Sequence, residues 1–211
     1  MDKSGCLQVY TGSGKGKSTS ALGLTFRAIG RNWNVLFVQF LKGDKATDRS
    51  YGELISAKKF SNNLKFIQSH NQYKVVLEYN KTDEDKRLVQ SAWDKMLCHL
   101  NKKKYDLLVL DEILPTIGLR LITQRQFFKF IQDIRKERPD LELVVTGRIW
   151  DDTLFDKIKN ISDYFTDMRA VKHPFNKHCP NCKRSFEYRS NYCPNCGNIL
   201  ITKSAREGIE F

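Results

Sequence analysis

Apolar positions in this chain fall into two alternating patterns, short unbroken runs and longer stretches at helical spacing, as expected of a parallel sheet covered by helices. Residues 6–10 make a first strand that enters a glycine-rich segment. Ala21, Leu22, Leu24, Ala28 and Ile29 then mark one face of a helix, with Gly30 placed to cap it. The run Val35-Leu36-Phe37-Val38-Gln39-Phe40 reads as a strand buried on both faces, so a β-α-β unit is complete by residue 40. After a polar segment at 42–50, a short helix over 52–59 and a strand over 64–67 follow. Thr82-Asp83-Glu84-Asp85 has capping-box character. It opens a long helix whose inner face is Leu88, Val89, Ala92, Trp93, Met96, Leu97 and Leu100. Trp93 is read as core rather than as a stacking platform. Leu107-Leu108-Val109-Leu110 is another buried strand, ending in Asp111-Glu112; a helix over 124–136, a strand over 141–145, a helix over 152–160 and a strand over 164–168 complete the alternation. Such strands share a carboxyl edge, where ligands bind.

The segment at the first strand-to-helix junction carries the chemistry. Thr11-Gly12-Ser13-Gly14-Lys15-Gly16-Lys17-Ser18 places three glycines where backbone N–H groups can turn toward phosphate oxygens, and the helix N-terminus adds positive potential. Lys17 fits a β/γ-phosphate ligand and Ser18 a Mg²⁺ ligand, as in the P-loop pattern, although the pattern's first glycine is Thr11 here. Asp111 and Glu112, at the end of an aliphatic strand, fit the second metal-binding half of such a site. The expected fold class is therefore α/β: a P-loop NTPase-like, RecA-type, mostly parallel sheet flanked by helices. A P-loop alone serves kinases, ATPases, motors and transferases alike.

With 211 residues, the chain suits one α/β domain and a small appendage. Its 40% hydrophobic and 28% charged content is that of a globular protein and excludes disordered and fibrous classes. No segment reads as a signal sequence or approaches the ~20 apolar residues of a membrane span, so the expectation is a cytoplasmic protein without membrane partners. A formal charge of +12 favours polyanionic partners, from nucleotides to nucleic acid. Part of it is solvated surface, such as Lys102-Lys103-Lys104 at a helix end.

A reducing compartment disfavours disulfides, so the cysteines point to metal. Cys179-Pro180-Asn181-Cys182 and Cys193-Pro194-Asn195-Cys196 are two near-identical knuckles. Four thiolates close a tetrahedral structural zinc site and leave no position for substrate. His173 and His178 lie close by and are not needed as ligands. Lys183, Arg184 and Arg189 make the ribbon basic, which permits nucleic-acid binding without demanding it. Cys6 and Cys98 are read as small buried hydrophobes.

Thr11 to Thr19, with Ala21-Leu22-Gly23 and Arg27-Ala28-x-Gly30 behind it, resembles the signature of the corrinoid adenosyltransferases. Further matches follow in order: Gln39-Phe40-Leu41-Lys42-Gly43, Gly52-Glu53, Leu110-Asp111-Glu112, Thr146-Gly147-Arg148, Val171-Lys172-His173-Pro174-Phe175, and Gly208-Ile209-Glu210-Phe211. The resemblance implies an adenosyltransferase domain over 1–175, an inserted zinc ribbon over 176–203 and a family tail over 204–211. It implies transfer of the 5′-deoxyadenosyl group of Mg-ATP to cobalt(I) of a corrinoid with release of triphosphate, in adenosylcobalamin synthesis or salvage. On that reading Lys17, Ser18 and Glu112 are catalytic. Thr11, Gly12, Ser13, Gly14, Lys15, Gly16, Lys17, Ser18, Thr19 and Arg148 bind the nucleotide, and Ser18, Asp111 and Glu112 hold magnesium. Cys179, Cys182, Cys193 and Cys196 hold zinc, while Arg27, Lys42, Lys172 and His173 line the corrinoid side. A homodimer and a corrinoid-reducing or corrinoid-accepting partner are likewise implied. The chain differs from the family pattern in a shorter N-terminal segment and in Leu114-Pro115 where Thr-Tyr is common. It also has 72–79 (with Tyr73 and Tyr79) in place of a Phe-x-Trp element.

Two other readings stay open on the residues alone: a P-loop ATPase in which Glu112 orients water and the ribbon recruits nucleic acid, or a non-catalytic corrinoid or nucleotide sensor.

Overall fold

The structure, a computed structural model, describes residues 4–43, 51–60, 62–70, 81–171, 177–183, 185–186, 192–193 and 195–201. Six strands form one wholly parallel sheet: β1 (Leu7–Thr11), β2 (Val35–Gly43), β3 (Leu64–His70), β4 (Leu107–Asp111), β5 (Glu142–Thr146) and β6 (Tyr164–Asp167). Their order across the sheet is β3-β2-β4-β5-β1-β6. This is the P-loop NTPase-like fold with β5 standing between the first strand and the strand that ends in Asp111.

Side-chain alternation divides the core in two. Leu36, Val38, Leu108, Leu110 and Val145 face one layer, built by α3 (Asp83–Lys102), α4 (Ile113–Gly118), α5 (Gln124–Glu137) and α6 (Asp152–Ile161). Phe37, Val109 and Val144 face the other, built by α1 (Lys17–Gly30) and α2 (Gly52–Lys59). Because both faces are covered, every residue of β4 is buried, which is why its sequence is apolar until Asp111.

The capping box opens α3 as expected: Thr82 Oγ1 accepts from the Asp85 N–H (3.2 Å) and Asp85 Oδ2 accepts from the Thr82 N–H (2.7 Å). Trp93 is buried, edge-on to Phe130. Other expectations change. Gly30 is the last residue of α1, and the left-handed turn falls to Asn32 (φ 60°), a residue type that tolerates it. Cys98 is exposed, because Trp93, Met96 and Leu100 turn the inner face of α3 away from it; Cys6 is half-buried. Helix α4 had no sequence signal: Ile113 to Ile117 are all buried, so no polar face reveals a period.

At the C-terminal side, β7 (Lys177–His178) pairs antiparallel with β8 (Ser185–Phe186), and Tyr192 bridges Ile199.

Candidate active site

Strand β1 stays extended through Thr11, which pairs with Asp167. The first left-handed residue is Gly12 (φ 102°), so the position occupied by Thr11 needs no glycine. The Thr11 hydroxyl is buried with no hydrogen-bond partner among the described residues. Gly12 and Gly14 are required for a reason beyond phosphate approach. A Cβ on Gly12 would meet the Met168 carbonyl oxygen at 2.5 Å, and one on Gly14 would meet it at 2.7 Å. The Gly14 N–H donates to that same carbonyl, so this amide is committed to the protein and not turned outward. Gly16 (φ 119°) releases the chain into α1. Lys17 folds back over the loop, donating to the carbonyls of Gly12 (3.0 Å) and Gly14 (2.7 Å). Burial draws its pKa down, and the charge of Glu112 opposes that shift.

Asp111 ends β4, fully buried, and its carboxylate organises the site. Oδ1 accepts from Thr146 Oγ1 (2.6 Å), while Oδ2 accepts from Gln39 Nε2 (3.1 Å) and Lys42 Nζ (3.1 Å). Burial alone would raise its pKa; the Lys42 ammonium and these hydrogen bonds hold it below the usual aspartate value. Topology explains the role of Thr146. It ends β5, the strand between β1 and β4, and reaches Asp111 with its hydroxyl hydrogen while accepting from the Glu112 N–H (3.0 Å). Glu112 itself sits at φ 59°, a strained conformation for a non-glycine residue of the kind that collects at functional sites. Burial and the adjacent Asp111 push its pKa up, against the attraction of Lys42, Lys17 and Arg148. Arg148 donates to the Ser13 carbonyl (3.0 Å), tying the end of β5 to the phosphate loop.

Lys42 Nζ lies 2.8 Å from Ser18 Oγ and 3.1 Å from Asp111 Oδ2. A cation is thus already held between two of the three groups assigned to magnesium, and this all-oxygen donor set fits a hard divalent ion. Burial lowers the Lys42 pKa, but Asp111 and Glu112 more than reverse the effect.

The structure brings Lys17, Ser18, Asp111, Glu112 and Arg148 to one sheet edge. Lys15 and Thr19 lie exposed on the loop and first turn. Arg27 is ten positions along α1 from its start, ~15 Å away at 1.5 Å per residue, so it stands apart from this edge. Lys42, expected on the corrinoid side, contacts Ser18 and Asp111. Lys172, His173, Tyr73, Tyr79 and the 204–211 tail lie outside the described residues. Sequence reading missed Thr146 and Gln39 as organising groups. For Gln39 the signal was present, a single amide inside an apolar strand; its Oε1 also accepts from Gln68 Nε2 (2.8 Å) and its Nε2 donates to Glu53 (3.3 Å).

The sulfurs of Cys179, Cys182, Cys193 and Cys196 lie within 4.8 Å of one another, with Cys179 to Cys196 at 3.5 Å and Cys193 to Cys182 at 3.9 Å. A tetrahedral ion with ~2.3 Å metal–sulfur bonds would space sulfurs by about 3.8 Å. Hydrogen bonding with Cys196 pushes the Cys182 thiol up to about 12, while the Asn198 N–H draws Cys196 down to about 6. Among the described residues, Cys179, Cys193 and Leu200, with Cys182 against them, form a local core cluster.

The sequence model of the family described as ATP:corrinoid adenosyltransferase BtuR/CobO/CobP matches residues 3–188. The chain belongs to this family. A corrinoid adenosyltransferase of a Sinorhizobium species is 30% identical over 175 residues, covering 82% of this chain and 76% of that protein. One from Pseudomonas aeruginosa is 30% identical over 174 residues, covering 82% and 79%. In fold, the chain is similar to the crystal structure of the flagellar accessory protein FlaH from Methanocaldococcus jannaschii (TM-score 0.52, 13% identity, 78% of this chain and 71% of that one). The adenosyltransferase family thus sets a P-loop sheet, here followed by a cysteine cluster able to hold a metal. No helix among the described residues is long and apolar enough to cross a membrane.

Proposed function

We propose that this chain moves the 5′-deoxyadenosyl group of Mg-ATP to cobalt(I) of a corrinoid and releases intact triphosphate. The observation that carries the reading is the convergence of Lys17, Lys42 and Arg148 with the Asp111–Glu112 pair around one phosphate loop, in a chain of this family. In the transfer, the electron pair of cobalt(I) forms the cobalt–C5′ bond, and the C5′–O5′ bond breaks with its pair leaving on the triphosphate. No proton moves in that step, so the site's task is electrostatic. Ser18, Asp111 and Glu112 would hold Mg²⁺, which when bound supplies positive charge against the leaving triphosphate. Lys17 and Lys42 add their own charge to the same oxygens, and Arg148 holds the loop in register with β5.

Incubating the protein with ATP and chemically reduced corrinoid tests this. Adenosylated corrinoid and triphosphate should appear in equal amounts. Corrinoid-independent orthophosphate with no cobalt–carbon bond would instead identify an ATPase.

For the C-terminal cluster, the reading is a structural zinc held by Cys179, Cys182, Cys193 and Cys196 in a ribbon over 176–203. The sulfur spacing supports it. Elemental analysis should find one zinc per chain. Cys193→Ser should lose it and make the ribbon protease-sensitive while the main domain melts as before; retained protease resistance without metal would refute the structural role.

A further inference from the structure

Strand β2 does not stop where its apolar run stops. Its register with β3 shifts between Gln39 and Gly43, and Leu41 adopts φ 56°, a left-handed conformation costly for a side chain of that size. The kink is locked from the interior. The Leu41 N–H donates to Ser69 Oγ (3.0 Å), and Ser69 Oγ in turn meets His70 Nδ1 (2.6 Å). His70 Nε2 meets Asp85 Oδ1 (3.2 Å), and Asp85 is the residue that closes the α3 capping box. The Asp85 carboxylate can only accept, which puts the hydrogen of a neutral His70 on Nε2 and leaves Nδ1 to accept from the Ser69 hydroxyl. Ser69, His70 and Asp85 are all buried, so this chain positions backbone and has no access to substrate. Its effect is to set the next residue, Lys42, across the first turn of α1.

We propose that Lys42 is a built-in counter-cation of the metal position, which without nucleotide neutralises Asp111 and keeps free divalent ions out. Metal then enters as its ATP complex, and the triphosphate draws the ammonium across to its own oxygens. The inference rests on the functional reading above and extends it. Two facts carry it. Lys42 Nζ uses the same Ser18 and Asp111 oxygens a metal would need, and Asp111 is fully buried, so a divalent ion arriving without new anions would add to the Lys42 charge beside the Asp111–Glu112 pair with nothing further to offset it. Adding a polyphosphate removes that penalty.

Mn²⁺ is the probe, with free ion counted by electron paramagnetic resonance on the full chain in the absence of ATP. Wild type should bind Mn²⁺ weakly at this position. Lys42→Met should bind one Mn²⁺ at least about tenfold more tightly, since the internal competitor is gone. Lys42→Arg, which keeps the charge, should remain like wild type. Adding Asp111→Asn to Lys42→Met should abolish the gain. Lys42→Gln, able to keep a hydrogen bond to Asp111, gives the same reading should the Met variant not fold. Unchanged Mn²⁺ affinity in Lys42→Met or Lys42→Gln, or a gain that survives Asp111→Asn, overturns the proposal. None of these arms contains ATP or corrinoid, so a failure of adenosyl transfer by wild type is read separately.

Discussion

Lys17→Ala is expected to lower adenosyl transfer by about 10²- to 10³-fold, the usual cost of losing one preorganised charge donor to a leaving group. Lys17 donates to the Gly12 and Gly14 carbonyls, which belong to its own loop and not to the core. Stability should therefore change by less than ~1 kcal/mol. A transfer assay with reduced corrinoid, calorimetric titration with Mg-ATP and a thermal melt check both halves. A variant that keeps its melting temperature but no longer takes up nucleotide fits the assignment; one that still transfers at the wild-type rate removes Lys17 from the chemistry.

Gly147→Ala should be severely destabilising. Gly147 sits at φ 130°, and a Cβ there would lie 2.1 Å from Pro115 Cδ and 3.0 Å from its Cγ. A proline ring cannot swing aside as a flexible side chain can, so α4 must move as a unit. Left-handed strain and overpacking together should cost about 3 kcal/mol or more. The displacement would reach the chemistry. Glu112 is the N-cap of α4, and Thr116 Oγ1 donates to its carbonyl (2.6 Å), so shifting α4 re-aims the carboxylate opposite Lys17. Urea unfolding should show a lower midpoint at constant m-value, with transfer lost even where the protein stays folded. An unchanged midpoint would mean that Pro115 is not held against Gly147.

Much of this was legible from residue order because the responsible physics is local. A glycine-rich turn between an unbroken apolar strand and an amphipathic helix defines the phosphate loop, and Lys17 and Ser18 follow from their place in it. The α3 capping box depends on four consecutive residues, and the cysteine cluster on two knuckles whose spacing brings sulfurs together. Where reading failed, the causes differ. Cys98 looked buried because its neighbours are apolar, yet the helical period turns it outward. α4 carried no period to read, being covered on all sides.

The order of residues by itself determined a β-α alternation, a phosphate loop, a carboxylate pair at a strand end and a four-thiol cluster, because each is written within a few turns of chain. Strand order decided the rest. Placing β5 between β1 and β4 brings Thr146 to Asp111 and Arg148 to Ser13, across 35 and 135 positions of sequence. The kink at Leu41 turns Lys42 from a motif residue into the cation beside Asp111. Those contacts depend on which strands are neighbours and on how a buried network bends one of them, and neither leaves a periodic trace in the chain.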